Sequence, residues 1–239
     1  MSRGKFLRSP SGYCATLASV PSTQSTRSSF SARYMNKSAP CFASGLISLS
    51  NGMKKDIAEI QAGDRVKTSA GEYGLVRCVV KTAISGGVCD MVNLGKNVFV
   101  TQWHPVRERG TQEWRFPVDL NPSKETNCNF VYSLVLEKRC SCFLIGNFEA
   151  VSLGHGLVDG IARHSYLGTS KVIDDLSQME GWKDGLINLD PNPAIRDLKS
   201  GLMVKLVQYN DVKIRMEKAS YECTRAENFT PCSRKSVIA

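Results

Sequence analysis

Four residues of this sequence have types and spacing that suit the cleavage of a peptide bond. Cys41 opens the segment CFASGLISLSNG, Thr101 and His104 belong to TQWHPV, and His155 lies in VSLGHGL. A thiol that follows a peptide nitrogen can attack the carbonyl just upstream through a five-membered transition state, with a large proximity advantage. The attack needs a group that takes the thiol proton, donors for the oxyanion and an acid for the leaving amine. A threonine hydroxyl and an imidazole three residues apart can supply a donor and an acid.

Short β-type segments separated by turn signals surround these four residues. Asn and Gly in SNG, SAG and IGN supply the positive φ angles of tight turns. The segment 54–64 predicts one short helical turn or ordered loop that points Ile57 and Ile60 inward. Many short strands and almost no long helix predict an all-β domain. The predicted β-type segments are 46–52, 63–82, 91–94, 97–102, 130–137 and 141–153.

The composition changes on both sides of this β-rich region. Residues 1–40 contain ten serines and little apolar periodicity, which predicts a disordered Ser/Arg-rich leader that ends at Pro40. After His155 we expect one helix around 170–180, then a turn, a short helix or loop and a strand over 190–210. The predicted division is therefore a leader at 1–40, a β domain at 41–160, an extension at 161–210 and a weakly ordered tail at 211–239.

Residues 41–157 resemble a Hint domain, the module shared by inteins and the C-terminal half of Hedgehog proteins. CFASGLISLSNGMKKDIAEIQAGDRV resembles the opening block, NVFVTQWHPV the Thr-x-x-His block, and VYSLVLE with FLIGNFEAVSLGHG the closing strands. The segment that begins HSYLGTSKVIDDL resembles the extension of the Vint group, Hint domains usually found beside von Willebrand factor A modules. The resemblance implies an intein-like fold of short, highly twisted strands with a small mixed C-terminal extension.

The resemblance also implies roles for the four residues. Cys41 would be the nucleophile of an N-to-S acyl shift at the Pro40–Cys41 bond, and His104 would protonate the departing nitrogen. Thr101 would orient the scissile carbonyl. His155 matches the histidine that precedes the terminal asparagine of an intein. The substrate would be the chain's own upstream segment, and no cofactor would be needed.

Two departures from the intein pattern limit the expected chemistry. Gly156 stands in place of the terminal asparagine, and a glycine has no side chain that could cyclise, so splicing by the intein route is excluded. Ser133 stands in VYSLVL where inteins commonly have an aspartate. What remains is the first step, a thioester at Cys41 that water or an outside nucleophile resolves. The expected products are self-cleavage or transfer of the upstream segment.

Two alternatives remain open at the level of sequence. The first is an inactive Hint fold that serves as a protein-interaction module, which Gly156, Ser133 and the rigid Pro40 favour. The second is a cysteine protease that uses Cys41 and His104 in trans. Such enzymes commonly place the nucleophile at a helix N-terminus, and the β-type sequence after Cys41 argues against this alternative.

Charge and cysteine content bound the partners and the location of the chain. Residues 1–40 carry six basic and no acidic residues, so only +3 of the net charge of +9 belongs to the rest, and no nucleic-acid interface is expected. The pair Cys140-x-Cys142 lacks the spacing and the second pair of a zinc site, so no metal is expected. No segment resembles a signal peptide or a membrane span. The sequence predicts a cytoplasmic location, with mitochondrial targeting as the alternative.

Overall fold

The structure, a computed structural model, describes residues 40–68, 71–137 and 140–208. Within these ranges the chain forms fifteen β-strands, two short α-helices and three 3₁₀ turns. The prediction of an all-β fold is therefore confirmed. Apart from Pro40, the predicted leader lies outside the described residues, as does the predicted tail at 211–239.

The strands agree with the predicted segments, each of which contains at least part of one. The predicted helix around 170–180 is also present, as α2. Here α1 is Pro117–Leu120, α2 is Ser170–Ser177, and the 3₁₀ turns are Ile57–Glu59, Ser85–Gly87 and Gly160–Ala162. The strands are β1 (Phe42–Ser44), β2 (Leu46–Ser48), β3 (Lys54–Asp56), β4 (Arg65–Lys67), β5 (Tyr73–Ala83), β6 (Val88–Asn93), β7 (Phe99–Thr101), β8 (Val106–Glu108), β9 (Ser123–Asn127), β10 (Phe130–Leu136), β11 (Cys142–Ile145), β12 (Phe148–Val151), β13 (Leu186–Leu189), β14 (Ala194–Arg196) and β15 (Met203–Leu206).

The strands form one large sheet and two smaller ones. The main sheet has the order β13-β5-β10-β1-β7-β6-β9, with β4 paired to β5. Its pairs are antiparallel except β13 with β5, which run parallel. A second sheet has the order β3-β2-β11-β12-β8, and β14 pairs with β15. Because β13 follows residue 160, the extension contributes an edge strand to the main sheet.

Two groups of apolar side chains form most of the core. The first draws side chains from both large sheets, among them Phe42 of β1, Ile47 of β2 and Phe143 of β11. The second lies where α2 covers the main sheet and includes Val172 and Leu176 of that helix. Burial of these side chains is the main favourable contribution to the fold.

The segment 54–64 turns the chain between two strands. Asp56 caps the 3₁₀ turn by accepting a hydrogen bond from the Ala58 N–H, and the Glu59 side chain accepts one from the Asp56 N–H. Ile57 and Ile60 are buried, as the sequence predicts. Asp56 also accepts a hydrogen bond from the N–H of Gly45 at 2.9 Å. This segment is therefore tied to the end of β1, next to the candidate site.

The segment after residue 160 is anchored by a buried tyrosine. The Tyr166 hydroxyl donates to the Asp175 carboxylate at 2.7 Å and accepts from the Leu206 N–H at 2.8 Å. These two bonds join α2 and β15 through one side chain. None of the helices within the described ranges has the length and apolar character needed to cross a membrane.

Candidate active site

The candidate site lies where three neighbouring strands of the main sheet run side by side. β1 lies between β10 and β7, and the register places Ser133, Cys41 and Thr101 in one row across them. Side chains in one row of a sheet point to the same face and contact one another. We call these three residues the active-site row. Strand pairing therefore brings together residues that lie far apart in the sequence.

Thr101 holds the nitrogen side of the Pro40–Cys41 peptide bond. The Cys41 N–H donates a hydrogen bond to Thr101 Oγ1 at 3.0 Å, and the Thr101 N–H donates to the Cys41 carbonyl at 2.9 Å. Thr101 is buried, so water does not compete for these bonds. Thr101 thus contacts the nitrogen of the bond rather than its carbonyl oxygen.

Ser133 holds the carbonyl side of the same peptide bond. Its Oγ lies 2.7 Å from the Pro40 carbonyl oxygen and 3.2 Å from Cys41 Sγ. The sequence marks Ser133 only as the residue that stands where inteins commonly have an aspartate, and local sequence gives it no catalytic role. The register of β10 against β1 is what brings it to the Pro40–Cys41 bond.

The Cys41 thiol is shielded from water. The residue is 3% exposed, and burial raises the pKa of the thiol to about 12, with a smaller opposing effect of the Ser133 hydroxyl. At neutral pH the sulfur therefore carries its proton. A buried neutral thiol is a poor nucleophile, so its reactivity depends on how the proton is removed.

His104 packs beside the active-site row. Its ring meets the Phe42 ring edge to face, with the centroids 4.6 Å apart, and its Nε2 donates to the Val151 carbonyl at 3.1 Å. Burial lowers the pKa of His104 to about 3, although the carbonyls of Val151 and Pro40 partly offset this. The ring is therefore neutral, and Nδ1 has no hydrogen-bond partner among the described residues.

His155 is held by its own loop and by the extension rather than by the active-site row. Its Nδ1 accepts a hydrogen bond from the Leu157 N–H at 2.9 Å, and its Nε2 has no partner within the described part of the chain. A Cβ on Gly168 would come within 2.8 Å of the His155 ring, so this glycine packs directly on it. Burial lowers the pKa of His155 to about 4. It is close enough to His104 to affect that residue's pKa, but it is not hydrogen-bonded to it.

A cavity of about 320 Å³ adjoins the active-site row. Cys41, Thr101 and Cys89 contribute to its wall from the main sheet, and the extension contributes residues 191–194 and Arg196. The volume suits a small molecule or a short side chain. No group of three or more His, Cys, Asp or Glu side chains in residues 40–68, 71–137 and 140–208 is arranged to hold a metal ion.

A protein-family model matches most of this chain. The family model for Vint, described as a Hint-domain, matches residues 40–205, which is more than half of the chain. The chain belongs to the Vint family of Hint domains. The match begins at Pro40 and continues into β15, so it covers the Pro40–Cys41 bond, both large sheets and the extension that packs on His155.

Solved structures similar to this Vint domain are inteins and an intein-like domain. The crystal structure of the gp41-1 intein is 15% identical with a TM-score of 0.35, and 48% of this chain covers 100% of it. The solution structure of a bacterial intein-like domain from Clostridium thermocellum is 18% identical with a TM-score of 0.38, with coverage of 48% and 99%. A DnaB intein from Synechocystis is 14% identical with a TM-score of 0.35, with coverage of 48% and 99%. No curated protein matched the chain.

Proposed function

We propose that this Vint domain cleaves the Pro40–Cys41 peptide bond by an N-to-S acyl shift and releases or transfers the segment upstream of Cys41. The observation that carries the proposal is that two hydroxyl groups contact the two sides of this one peptide bond. Thr101 Oγ1 accepts from its nitrogen at 3.0 Å and Ser133 Oγ lies 2.7 Å from its carbonyl oxygen. Both hydroxyls are buried, and the Cys41 side chain lies between them in the active-site row.

The contacts suit the charge changes of the acyl shift. Attack of Cys41 Sγ on the Pro40 carbonyl carbon shifts electron density onto the carbonyl oxygen, beside the Ser133 hydroxyl. A hydrogen-bond donor already in position at such an oxygen lowers the barrier because no reorganisation is needed. The nitrogen must then gain a proton as the C–N bond breaks. Thr101 orients this nitrogen, and we assign its protonation to His104. Burial lowers the His104 pKa to about 3 and keeps the ring neutral, so its unpartnered Nδ1 would take the proton from the hydroxyl group of the intermediate and pass it to the nitrogen.

The thioester that results would react with water or with an outside nucleophile. Gly156 follows His155 and has a φ of 74°, a conformation that suits glycine, so no side chain is available for the asparagine cyclisation of an intein. The cavity beside Cys41 gives a small nucleophile access to the thioester. His155 is proposed to assist this second step, because it is close enough to His104 to affect that residue's pKa.

Cleavage of other proteins in trans fits the geometry less well. A protease acting in trans needs an exposed thiol and a cleft for a foreign chain, whereas Cys41 is 3% exposed. The space nearest its sulfur is already occupied by Pro40. The Ser133 hydroxyl contacts both the Pro40 carbonyl oxygen and Cys41 Sγ. The substrate supported by these contacts is the chain itself.

Mass spectrometry of the purified chain tests the proposal. Incubation with dithiothreitol or hydroxylamine should produce fragments of 40 and 199 residues, because both nucleophiles intercept a thioester. Cys41→Ala should remain intact under the same conditions. Cys140→Ala is the matched control, since it removes a half-buried thiol whose sulfur contacts the Tyr73 carbonyl and lies outside the cavity wall beside Cys41.

Three results are informative. Cleavage of the wild type and of Cys140→Ala, but not of Cys41→Ala, supports the acyl shift. An intact wild type after prolonged incubation with either nucleophile contradicts it and favours an inactive Hint fold that acts as an interaction module. Turnover of an added peptide would instead favour the trans protease.

A further inference from the structure

The Cys41 thiol must lose its proton as its sulfur bonds to the carbonyl carbon. The groups that influence the Cys41 thiol are the Ser133 hydroxyl and the Cys89 thiol, and neither is a carboxylate. His104 is a poor base for this proton, since burial lowers its pKa to about 3 while that of Cys41 is raised to about 12. Proton transfer between groups so badly matched is unfavourable by many kcal/mol.

The two contacts of the Ser133 hydroxyl suggest how the proton moves. The Pro40 carbonyl oxygen can only accept a hydrogen bond, so at 2.7 Å the hydroxyl donates to it. One hydroxyl has one proton, and its remaining lone pairs face Cys41 Sγ at 3.2 Å. Because the thiol is protonated, its S–H can donate to the serine oxygen. The three atoms thus form a chain from sulfur through Ser133 Oγ to the carbonyl oxygen.

We propose that Ser133 is a catalytic residue that relays the thiol proton to the Pro40 carbonyl oxygen during the acyl shift. As Cys41 Sγ bonds to the Pro40 carbonyl carbon, the S–H bond breaks and its proton passes to Ser133 Oγ. The original Ser133 proton passes to the carbonyl oxygen, whose π electron pair forms the new O–H bond. The product is a neutral five-membered hydroxythiazolidine, and Ser133 ends as the same neutral hydroxyl.

The buried setting favours such a relay over an ionic route. A free thiolate or a free oxyanion at this place would each be a charge removed from water, which costs several kcal/mol. A relay that moves two protons as the S–C bond forms avoids both charges. It also explains how a site with serine in place of the intein aspartate can still activate its thiol. The inference rests on the acyl shift proposed above and adds the residue that handles its first proton.

Rates of the acyl shift in Ser133 variants test the relay in the full chain. The rate is that of fragment release at hydroxylamine concentrations high enough that it no longer depends on them. Ser133→Ala should slow release by about 100-fold or more, the usual effect of losing a positioned proton-transfer group. Ser133→Thr keeps the hydroxyl and should retain activity within about 10-fold of wild type. Thr68→Val is the matched control, because it removes a buried hydroxyl that, among the residues the structure describes, donates to the Glu72 carbonyl.

Two further readouts separate a relay from a structural role of Ser133. Wild type should show a rate that is nearly flat between about pH 6 and 9, since the proton never leaves the site. Ser133→Ala should depend on solvent hydroxide, so its rate should rise about tenfold per pH unit. In mixtures of H₂O and D₂O the wild-type rate should follow a curve, because two protons move, whereas a single transfer gives a straight line.

The outcomes distinguish the relay from the acyl shift itself. If wild type releases the fragment and Ser133→Ala matches it in rate and pH profile, the relay is wrong while the acyl shift stands. If Ser133→Ala is slow but keeps the flat profile, Ser133 is only a positioning residue and the relay is again wrong. If wild type forms no thioester, both proposals fail together.

Discussion

Lowering the pH from 7 to 5 should destabilise this fold, because three histidine side chains are buried in it. The chain has three histidines, His104, His155 and His164, and all three are buried. Burial lowers their pKa values to about 3, 4 and 4. In the unfolded chain each would titrate near the ordinary histidine value of about 6.5.

The sign and size of the effect follow from these pKa values. Below about pH 6.5 the histidines of the unfolded chain bind protons, whereas those of the folded chain do not, so folding becomes less favourable as the pH falls. Each histidine contributes about 1.4 kcal/mol per pH unit, and three give about 4 kcal/mol per unit between about pH 4.5 and 6. Two units of acidification would therefore remove much of the roughly 5–15 kcal/mol that stabilises an ordinary domain. Above about pH 7 the histidine contribution is constant.

Urea unfolding followed by tryptophan fluorescence at a series of pH values measures this slope. His164→Asn is the informative variant, because an asparagine oxygen can replace Nδ1 as the acceptor for the N–H groups of Tyr166 and Leu167. It removes one titrating group and should reduce the slope by about a third. A wild-type slope below about 1 kcal/mol per pH unit would refute the reasoning, since the histidines would then be hydrated or charged in the folded state.

Two other substitutions test the buried polar contacts. Thr101→Val should leave the Cys41 N–H without an acceptor. It should lower the free energy of unfolding by about 1–3 kcal/mol and slow hydroxylamine cleavage. Unchanged urea midpoints and cleavage rates would contradict the assigned hydrogen bond. Arg107→Met should cost about 3–5 kcal/mol because it leaves the buried Glu149 carboxylate without its ion-pair partner. Adding Glu149→Gln should recover part of that loss, and a double variant no more stable than the single one would argue against the ion pair.

The sequence predicts the central strands of the fold better than its edges. The long strands β5 and β10 have alternating or continuous apolar residues, because they pair on both sides and pack into the core. The two strands at the ends of the main sheet, β9 and β13, were not predicted. β9 has the polar sequence SKETN and one neighbouring strand, so it needs no apolar face. β13 has four residues, and its position depends on a parallel partner about a hundred residues earlier.

The candidate site also combines residues that local sequence reveals with contacts that depend on strand pairing and packing. Cys41, Thr101 and His104 belong to local motifs, so their types and spacing are visible in the sequence. The contact of Ser133 with the Pro40 carbonyl depends on the register of β10 against β1, which no short motif specifies. Likewise nothing in the sequence near Gly168 predicts that its missing side chain makes room for the His155 ring. Tertiary register and packing supply what local patterns cannot.

The central claim is that Cys41 becomes acylated by the carbonyl of Pro40, and the mass of the released fragment tests it most directly. Hydroxylamine attack on that thioester would leave residues 1–40 with a hydroxamate at Pro40, whereas hydrolysis of the peptide bond leaves a carboxylate. We expect the hydroxamate from wild type and no fragment from Cys41→Ala. A carboxylate alone in concentrated hydroxylamine, or the same fragment from Cys41→Ala, would contradict the account.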